Sequence, residues 1–220
     1  MTRRVVLATH NEHKVKELQQ ILADASEGAG LDLEVVSMAS FPQVGEIPET
    51  EVTFAGNARL KAEHVAAATG LPALADDSGL TVDVLGGAPG IFSARWSGLH
   101  DGQDLPRAEK DRRNLQLLLD QLADVPDDHR GAAFRCAAVL AVPGGPTVVS
   151  EGSVPGVIAR VPVGENGFGY DPIFVPDGDS RSLAEYTDEE KNAISHRGNA
   201  FRGMVPLLRE HLGVSAEGGT

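Results

Sequence analysis

The chain has 220 residues, 32 acidic against 19 basic side chains, a formal net charge of −13 and a single cysteine. A chain of that length forms one large domain or two closely joined lobes, and it buries roughly 70% of its unfolded surface without disulfides or metal staples. The acid excess excludes a general grip on the nucleic-acid backbone, and the lone Cys136 excludes a disulfide framework and every multi-cysteine metal site.

Arg3 to Ala8 reads as a short apolar strand, too short for a signal-peptide core. No later run approaches the ~20 apolar residues of a membrane helix, so a cytoplasmic protein with no membrane partner is expected. Glu12 to Ala25 carries Val15, Leu18, Leu22 and Ala25 at helical spacing, with Asn11 at the N-cap. A second strand follows at Leu33 to Ser37, then a loop from Phe41 to Thr50. Thr53 to Thr69 is expected to be helical, to bury Phe54, Ala58, Val65 and Ala68, and to stop at Gly70. Two short strands, Ala73 to Ala75 and Leu80 to Leu85, flank Asp76-Asp77-Ser78-Gly79, which reads as a loop. A helix is expected from Arg107 to Leu122. Ala132 to Val142 is a long strand, and Pro143-Gly144-Gly145-Pro146 turns it into an antiparallel partner at Thr147 to Ser153. A short strand at Val157 to Val161, a glycine-rich loop at Gly164 to Pro172, a strand at Ile173 to Val175 and a helix from Arg197 to His211 follow. Residues 213–220 read as a frayed tail. Parallel pairing at the start and a hairpin near residue 145 give a mixed sheet with helices on its faces, in the α/β class bordering on α+β.

The chemistry is concentrated in a few segments. Thr9-His10-Asn11-Glu12-His13-Lys14 lies where a strand ends and a helix begins, so unpaired N–H groups and Lys14 can hold an anion. The competing reading is an ordinary capped helix with a solvated lysine. No GxxxxGK[ST] pattern is present. Asp76-Asp77 suits a hard cation such as Mg²⁺, which uses one or two carboxylates and leaves room for water and phosphate. Solvated acids in an Asx turn would look the same. Glu46, Glu49 and Glu51 supply further carboxylates in a loop that could simply be solubilising. Zinc is not expected, because the sequence has neither HExxH nor a Cys–His cluster. Phe168 and Tyr170, set among glycines, offer flat faces to a base, or else plug the core. Lys191, His196 and Arg197 can donate hydrogen bonds to phosphate or to a base edge, and Lys61 adds another cation; solvated side chains are the alternative. Cys136 reads as a small buried hydrophobe, and Trp96 with Phe92 as cover for the core or an interface. Taken together, these are the parts of an enzyme acting on nucleotide phosphates.

The stretches LATHNEHK, ETEVTFAGNARLKA, LPALADDSGLTVDVLGGAPGIFSARWSG, GFGYDPIF and EKNAISHRG occur in that order across residues 7 to 198. In this the chain resembles the inosine triphosphate pyrophosphatase family, which clears non-standard purine nucleoside triphosphates. The resemblance implies an elongated mixed sheet flanked by helices, two lobes with a central cleft, a single catalytic domain over residues 1–212, and a homodimer. It further implies Mg²⁺-dependent hydrolysis of ITP, dITP or XTP to the monophosphate and pyrophosphate. By matching positions, Asp77 would be the catalytic acid–base residue and, with Glu49, a metal-site carboxylate. Thr9, His10, Asn11, Glu12, His13, Lys14 and Lys61 would hold the phosphates, with Ser78 lining the site. Phe168, Gly169, Tyr170 and Asp171 would hold the base and sugar, and Lys191, His196 and Arg197 would read the base edge. Two positions depart from the family pattern. His10 replaces the glycine of a Thr-Gly-Asn motif, and Gly56 stands where a glutamate commonly precedes Asn57. The alternatives are a pyrophosphatase for modified pyrimidine triphosphates and a nucleotide-binding regulatory module without catalysis.

Overall fold

The computed structural model describes residues 3–9, 15, 16, 18–21, 33–98 and 105–213. Six strands form one mixed sheet: β1 (Arg3–Leu7), β2 (Leu33–Ser37), β3 (Ala73–Val82), β4 (Gly131–Ala141), β5 (Thr147–Ile158) and β6 (Phe174–Pro176), in the order β2-β1-β3-β4-β5-β6. β1 runs parallel to both β2 and β3, and β5 runs antiparallel to β6. Parallel neighbours need long crossovers. Residues 15, 16 and 18–21 are helical within the first crossover, and α1 (Phe54–Thr69) lies in the second. Three further helices are α2 (Arg107–Gln121), α3 (Asp188–Ile194) and α4 (His196–Leu212).

The chain divides into two compact units. The first contains Met1–Asp77, Cys136–Gly152 and Arg197–Thr220; the second contains Ser78–Arg135 and Ser153–His196. In the first unit, strand alternation sorts the core into two layers. Val5, Leu7, Leu74, Cys136, Ala138 and Leu140 pack with Ala200, Phe201, Met204 and Leu208 of α4. Val6, Ala73, Ala75, Val139 and Ala141 pack with Ala58, Ala62, Val65 and Ala66 of α1. The face of α1 is thus rotated from the expected one: Ala62 and Ala66 are buried, while Ala68 is exposed.

The core of the second unit joins Leu80 and Val82 of β3, Leu115, Leu118 and Leu122 of the α2 region, Phe134, Ile158, Ile173 and Phe174. Beside it, buried Arg130 donates to three main-chain carbonyls: Leu122 at 2.6 Å, Ile158 at 2.7 Å and Ala159 at 3.1 Å. A guanidinium presents its N–H groups as a rigid fork, and here that fork fastens the end of α2 to the end of β5.

Three elements differ from expectation. Asp76-Asp77-Ser78-Gly79 is not a loop between two short strands; it lies inside β3, which runs unbroken for ten residues. Side chains from α1 and α4 satisfy the two carboxylates, so the ladder can continue through them. β5 likewise runs straight to Ile158, because Gly156, Val157 and Ile158 pair with β6. A Cβ on Gly156 would land on the Val175 carbonyl, so only glycine permits this close pairing. Finally, α3 was not expected. Its start carries a capping box in which the Thr187 hydroxyl accepts from Glu190 N at 3.2 Å and the Glu190 carboxylate accepts from Thr187 N at 2.9 Å. The Thr-x-x-Glu signature was there to be read.

Candidate active site

α1 begins with Thr53 as its N-cap, whose hydroxyl accepts from Gly56 N at 2.9 Å. One turn in, Asn57 is fully buried on the apolar face of the helix. Its Oδ1 accepts from Glu51 N at 2.9 Å, and its Nδ2 donates to Asp77 Oδ2 at 3.0 Å. Lys61, four residues on and on the same face, donates from Nζ to Glu49 Oε1 and to the Asp76 carbonyl, both at 2.7 Å. The same ammonium lies 3.9 Å from Asp77 Oδ1. Glu49, Lys61 and Asp77 are therefore brought together as expected, with Asn57 added. Sequence reasoning passed over Asn57, although an asparagine on an otherwise apolar helix face (Ala58, Ala62, Val65) was a signal that it had a buried partner.

Alternation along β3 explains why the two neighbouring carboxylates do different things. Asp77 shares its face with Ala73 and Ala75 and meets α1, whereas Asp76 shares its face with Leu74 and meets α4. There, Arg197 Nε donates to Asp76 Oδ2 at 3.1 Å, with the two side chains only 16% and 3% exposed. Thr9 follows β1, and its carbonyl accepts from the Ser37 hydroxyl at 3.2 Å. His10, Asn11, Glu12, His13 and Lys14 lie outside the described residues. Gly56 sits against Glu51: a Cβ there would come 2.8 Å from Glu51 Cβ, so the neighbouring side chain occupies the space that a larger residue would take.

In the second unit the segment 167–171 is held from several sides. The Asp171 carboxylate accepts from Phe168 N at 2.7 Å and from Lys191 Nζ at 2.6 Å. Gly169 N donates to Asp111 Oδ2 at 3.3 Å. Gly167 has φ 77°, and a Cβ there would strike the Asp171 carboxylate, so glycine is required on both counts. Phe168 is exposed, with the Lys191 ammonium 4.7 Å and the Arg107 guanidinium 4.8 Å from its ring centroid. Arg107, Asp111, Phe168 and Gly169 line one open cavity of about 610 Å³. Tyr170 instead is buried in the core, and its hydroxyl donates to the Ser93 carbonyl at 2.9 Å. Burial, aided by the Asp111 charge, pushes its phenol above the usual range, so it stays protonated. Only one of the two aromatics in this segment therefore offers an exposed face. The His196 ring stacks on Phe134, with centroids 5.1 Å apart. Ser78 is half-buried on β3, and a Cβ on the following Gly79 would land on the Ser93 hydroxyl and come 2.6 Å from the Gly90 carbonyl.

Glu49 and Asp77 offer hard oxygen donors around a single positive charge, the chemistry that suits Mg²⁺. Among the described residues no group of three or more His, Cys, Asp or Glu side chains converges, so a dedicated all-protein cage is not formed there.

The chain is thus an α/β protein whose first unit sets an amide-held carboxylate beside an ammonium and whose second unit carries an exposed aromatic ring among cationic side chains. The Ham1 family model matches residues 5–207. A dITP/XTP pyrophosphatase of Streptomyces avermitilis is 56% identical over 210 residues, covering 96% of this chain and 99% of the relative, and that of Streptomyces coelicolor aligns equally well. A HAM1 protein structure from Coxiella burnetii superposes with a TM-score of 0.82 at 40% identity, covering 95% of this chain and all of the other. The nucleoside-triphosphatase / dITP/XTP pyrophosphatase of Mycobacterium abscessus gives 0.74 at 47% identity, covering 92% and 99%. The chain belongs to the Ham1 family.

Proposed function

We propose that this protein hydrolyses non-standard purine nucleoside triphosphates, such as dITP and XTP, to the monophosphate and pyrophosphate. The observation that carries the reading is Asp77, held by Asn57 through one oxygen and facing Lys61 with the other, with Glu49 on the same ammonium. The relatives named for this activity match nearly the whole chain.

Glu49 and Asp77 would hold Mg²⁺, which when bound neutralises charge on the phosphate oxygens. Lys61, Thr9 and the 10–14 segment hold the triphosphate in line. Asp77 takes the proton from a water that attacks the α-phosphorus, the bond from that phosphorus to the bridging oxygen breaks, and pyrophosphate leaves. Asn57 keeps the carboxylate oriented during the transfer. The base end is assigned to Phe168, Gly169 and Asp171, and its edge to Lys191, His196 and Arg197. These donors favour a 6-oxo purine, which accepts a hydrogen bond, over adenine, whose 6-amino group donates one. The protein acts as a homodimer in the cytoplasm. Sedimentation of the purified protein at the mass of one chain would remove the dimer from this reading.

The test is to incubate the protein with Mg²⁺ and dITP, XTP, GTP, ATP or dTTP, and to measure pyrophosphate and orthophosphate separately. Pyrophosphate from dITP and XTP, with little from ATP, is expected. Orthophosphate alone moves the attack to the terminal phosphate, preference for dTTP favours a pyrimidine pyrophosphatase, and binding without turnover favours a regulatory module.

A further inference from the structure

Adjacent residues of β3 carry carboxylates to opposite faces, and only Asp77 has a role so far. Resting on the reading in which Arg197 meets the base, we infer that Asp76 is a positioning residue that aims the Arg197 guanidinium at the 6-oxo group of the substrate. Asp76 is 5% exposed, so its charge is costly without a partner, and Arg197 supplies one through Nε at 3.1 Å. The guanidinium is planar, so holding Nε restricts the directions that both terminal nitrogens can take. The stem of Arg197 is fixed as well, since it is the second residue of α4, whose Phe201 and Met204 are buried against the sheet.

An oriented donor discriminates, whereas a swinging one adapts. A guanidinium on a loose side chain could turn away from an amino group at little cost; one clamped by a buried carboxylate leaves adenine facing donor against donor. The backbone of β3 thus links two tasks: one residue serves proton transfer, and its neighbour serves base choice from the other face of the sheet.

The test compares wild type with Asp76→Asn, Asp76→Glu, Arg197→Lys and the Asp76→Asn/Arg197→Lys double variant. Calorimetric binding of dIMP and dAMP is measured beside steady-state pyrophosphate release from dITP. Asp76→Asn is expected to lower the dIMP-over-dAMP affinity ratio by about tenfold or more, to place the kinetic loss on KM rather than kcat, and to be partly rescued by Asp76→Glu. The double variant is expected to lose little beyond the worse single one, as two members of one unit should. A folded Asp76→Asn protein with the wild-type ratio overturns the inference and leaves a purely structural ion pair. A collapse of kcat at an unchanged ratio also overturns it. Should Asp76→Asn fail to fold, a wild-type ratio in Arg197→Lys overturns it equally. A wild-type protein that prefers dIMP but releases no pyrophosphate refutes the proposed reaction while leaving the positioning role standing.

Discussion

At Asp77 a carboxylate is oriented by an amide 3.0 Å away, which itself is fully buried and tied to the main chain at Glu51. Replacing Asp77 with Asn would remove the proposed proton acceptor while keeping the shape, so pyrophosphate release is expected to fall about a hundredfold or more with an unchanged circular dichroism spectrum. Arg130 illustrates the opposite case, a charged residue with a structural task. Arg130→Met would take the guanidinium from the Leu122, Ile158 and Ala159 carbonyls, of which Leu122 keeps Val125 N as a donor, at a cost of about 2 kcal/mol, read from urea unfolding. Asp179 governs an acid-sensitive contact. The Arg181 guanidinium, and then the Tyr186 hydroxyl donating at 2.7 Å, hold its carboxyl well below the usual range. Because the folded value lies below the unfolded one, this stabilisation is present above about pH 4 and disappears as the pH falls through the acid range. Asp179→Asn should therefore flatten the acid side of the Tm-against-pH curve; an identical curve would show that the contact contributes nothing.

At the scale of elements, α1 and β3 place the chemistry. The Thr53 cap lies one turn before Asn57, whose N–H donates to the Thr53 carbonyl at 3.0 Å. Thr53→Ala is expected to cost about 1 kcal/mol of stability, measured by denaturant titration, as the loss of an N-cap does elsewhere. β3 tolerates no side chain at Gly79, where a Cβ would meet the Ser93 hydroxyl and the Gly90 carbonyl. Gly79→Ala should lower stability by about 1–3 kcal/mol, since main chain and a bonded hydroxyl must both give way. Ser93 accepts from Leu80 N at 2.9 Å, so the strain would be felt along the strand that bears Asp76 and Asp77.

Over the whole molecule the formal net charge is −13, and cationic side chains lie beside Asp77 and Asp76 in the first unit (Lys61, Arg197) and beside Phe168 in the second (Lys191, Arg107). No helix among the described residues is long and apolar enough to cross a membrane. Under the proposed assignment, saturating dIMP with Mg²⁺ should slow amide exchange in β3. At a hundredfold excess over its Kd it should stabilise the protein by about 2.7 kcal/mol, visible as a raised Tm. Unchanged exchange in β3 would count against that assignment.

Local pattern was sufficient for much of this protein. Periodicity and punctuation placed β1, β2, α1, α2, β4 and the hairpin within a residue or two, and motif order identified the family, because these features depend on neighbours in the chain. The same reading made Asp76-Asp77-Ser78-Gly79 a loop, missed Asn57, and left Tyr170 open between a stacking face and a core plug. Each of those depends on a partner far away in sequence. Buried carboxylates remain in a strand only when Asn57 and Arg197 arrive to bond them, and Tyr170 can sink into the core only because the Ser93 carbonyl, 77 residues away, accepts its hydroxyl. Composition and spacing determine which residues are available; desolvation, settled only once the elements have packed, decides which of them must be paired.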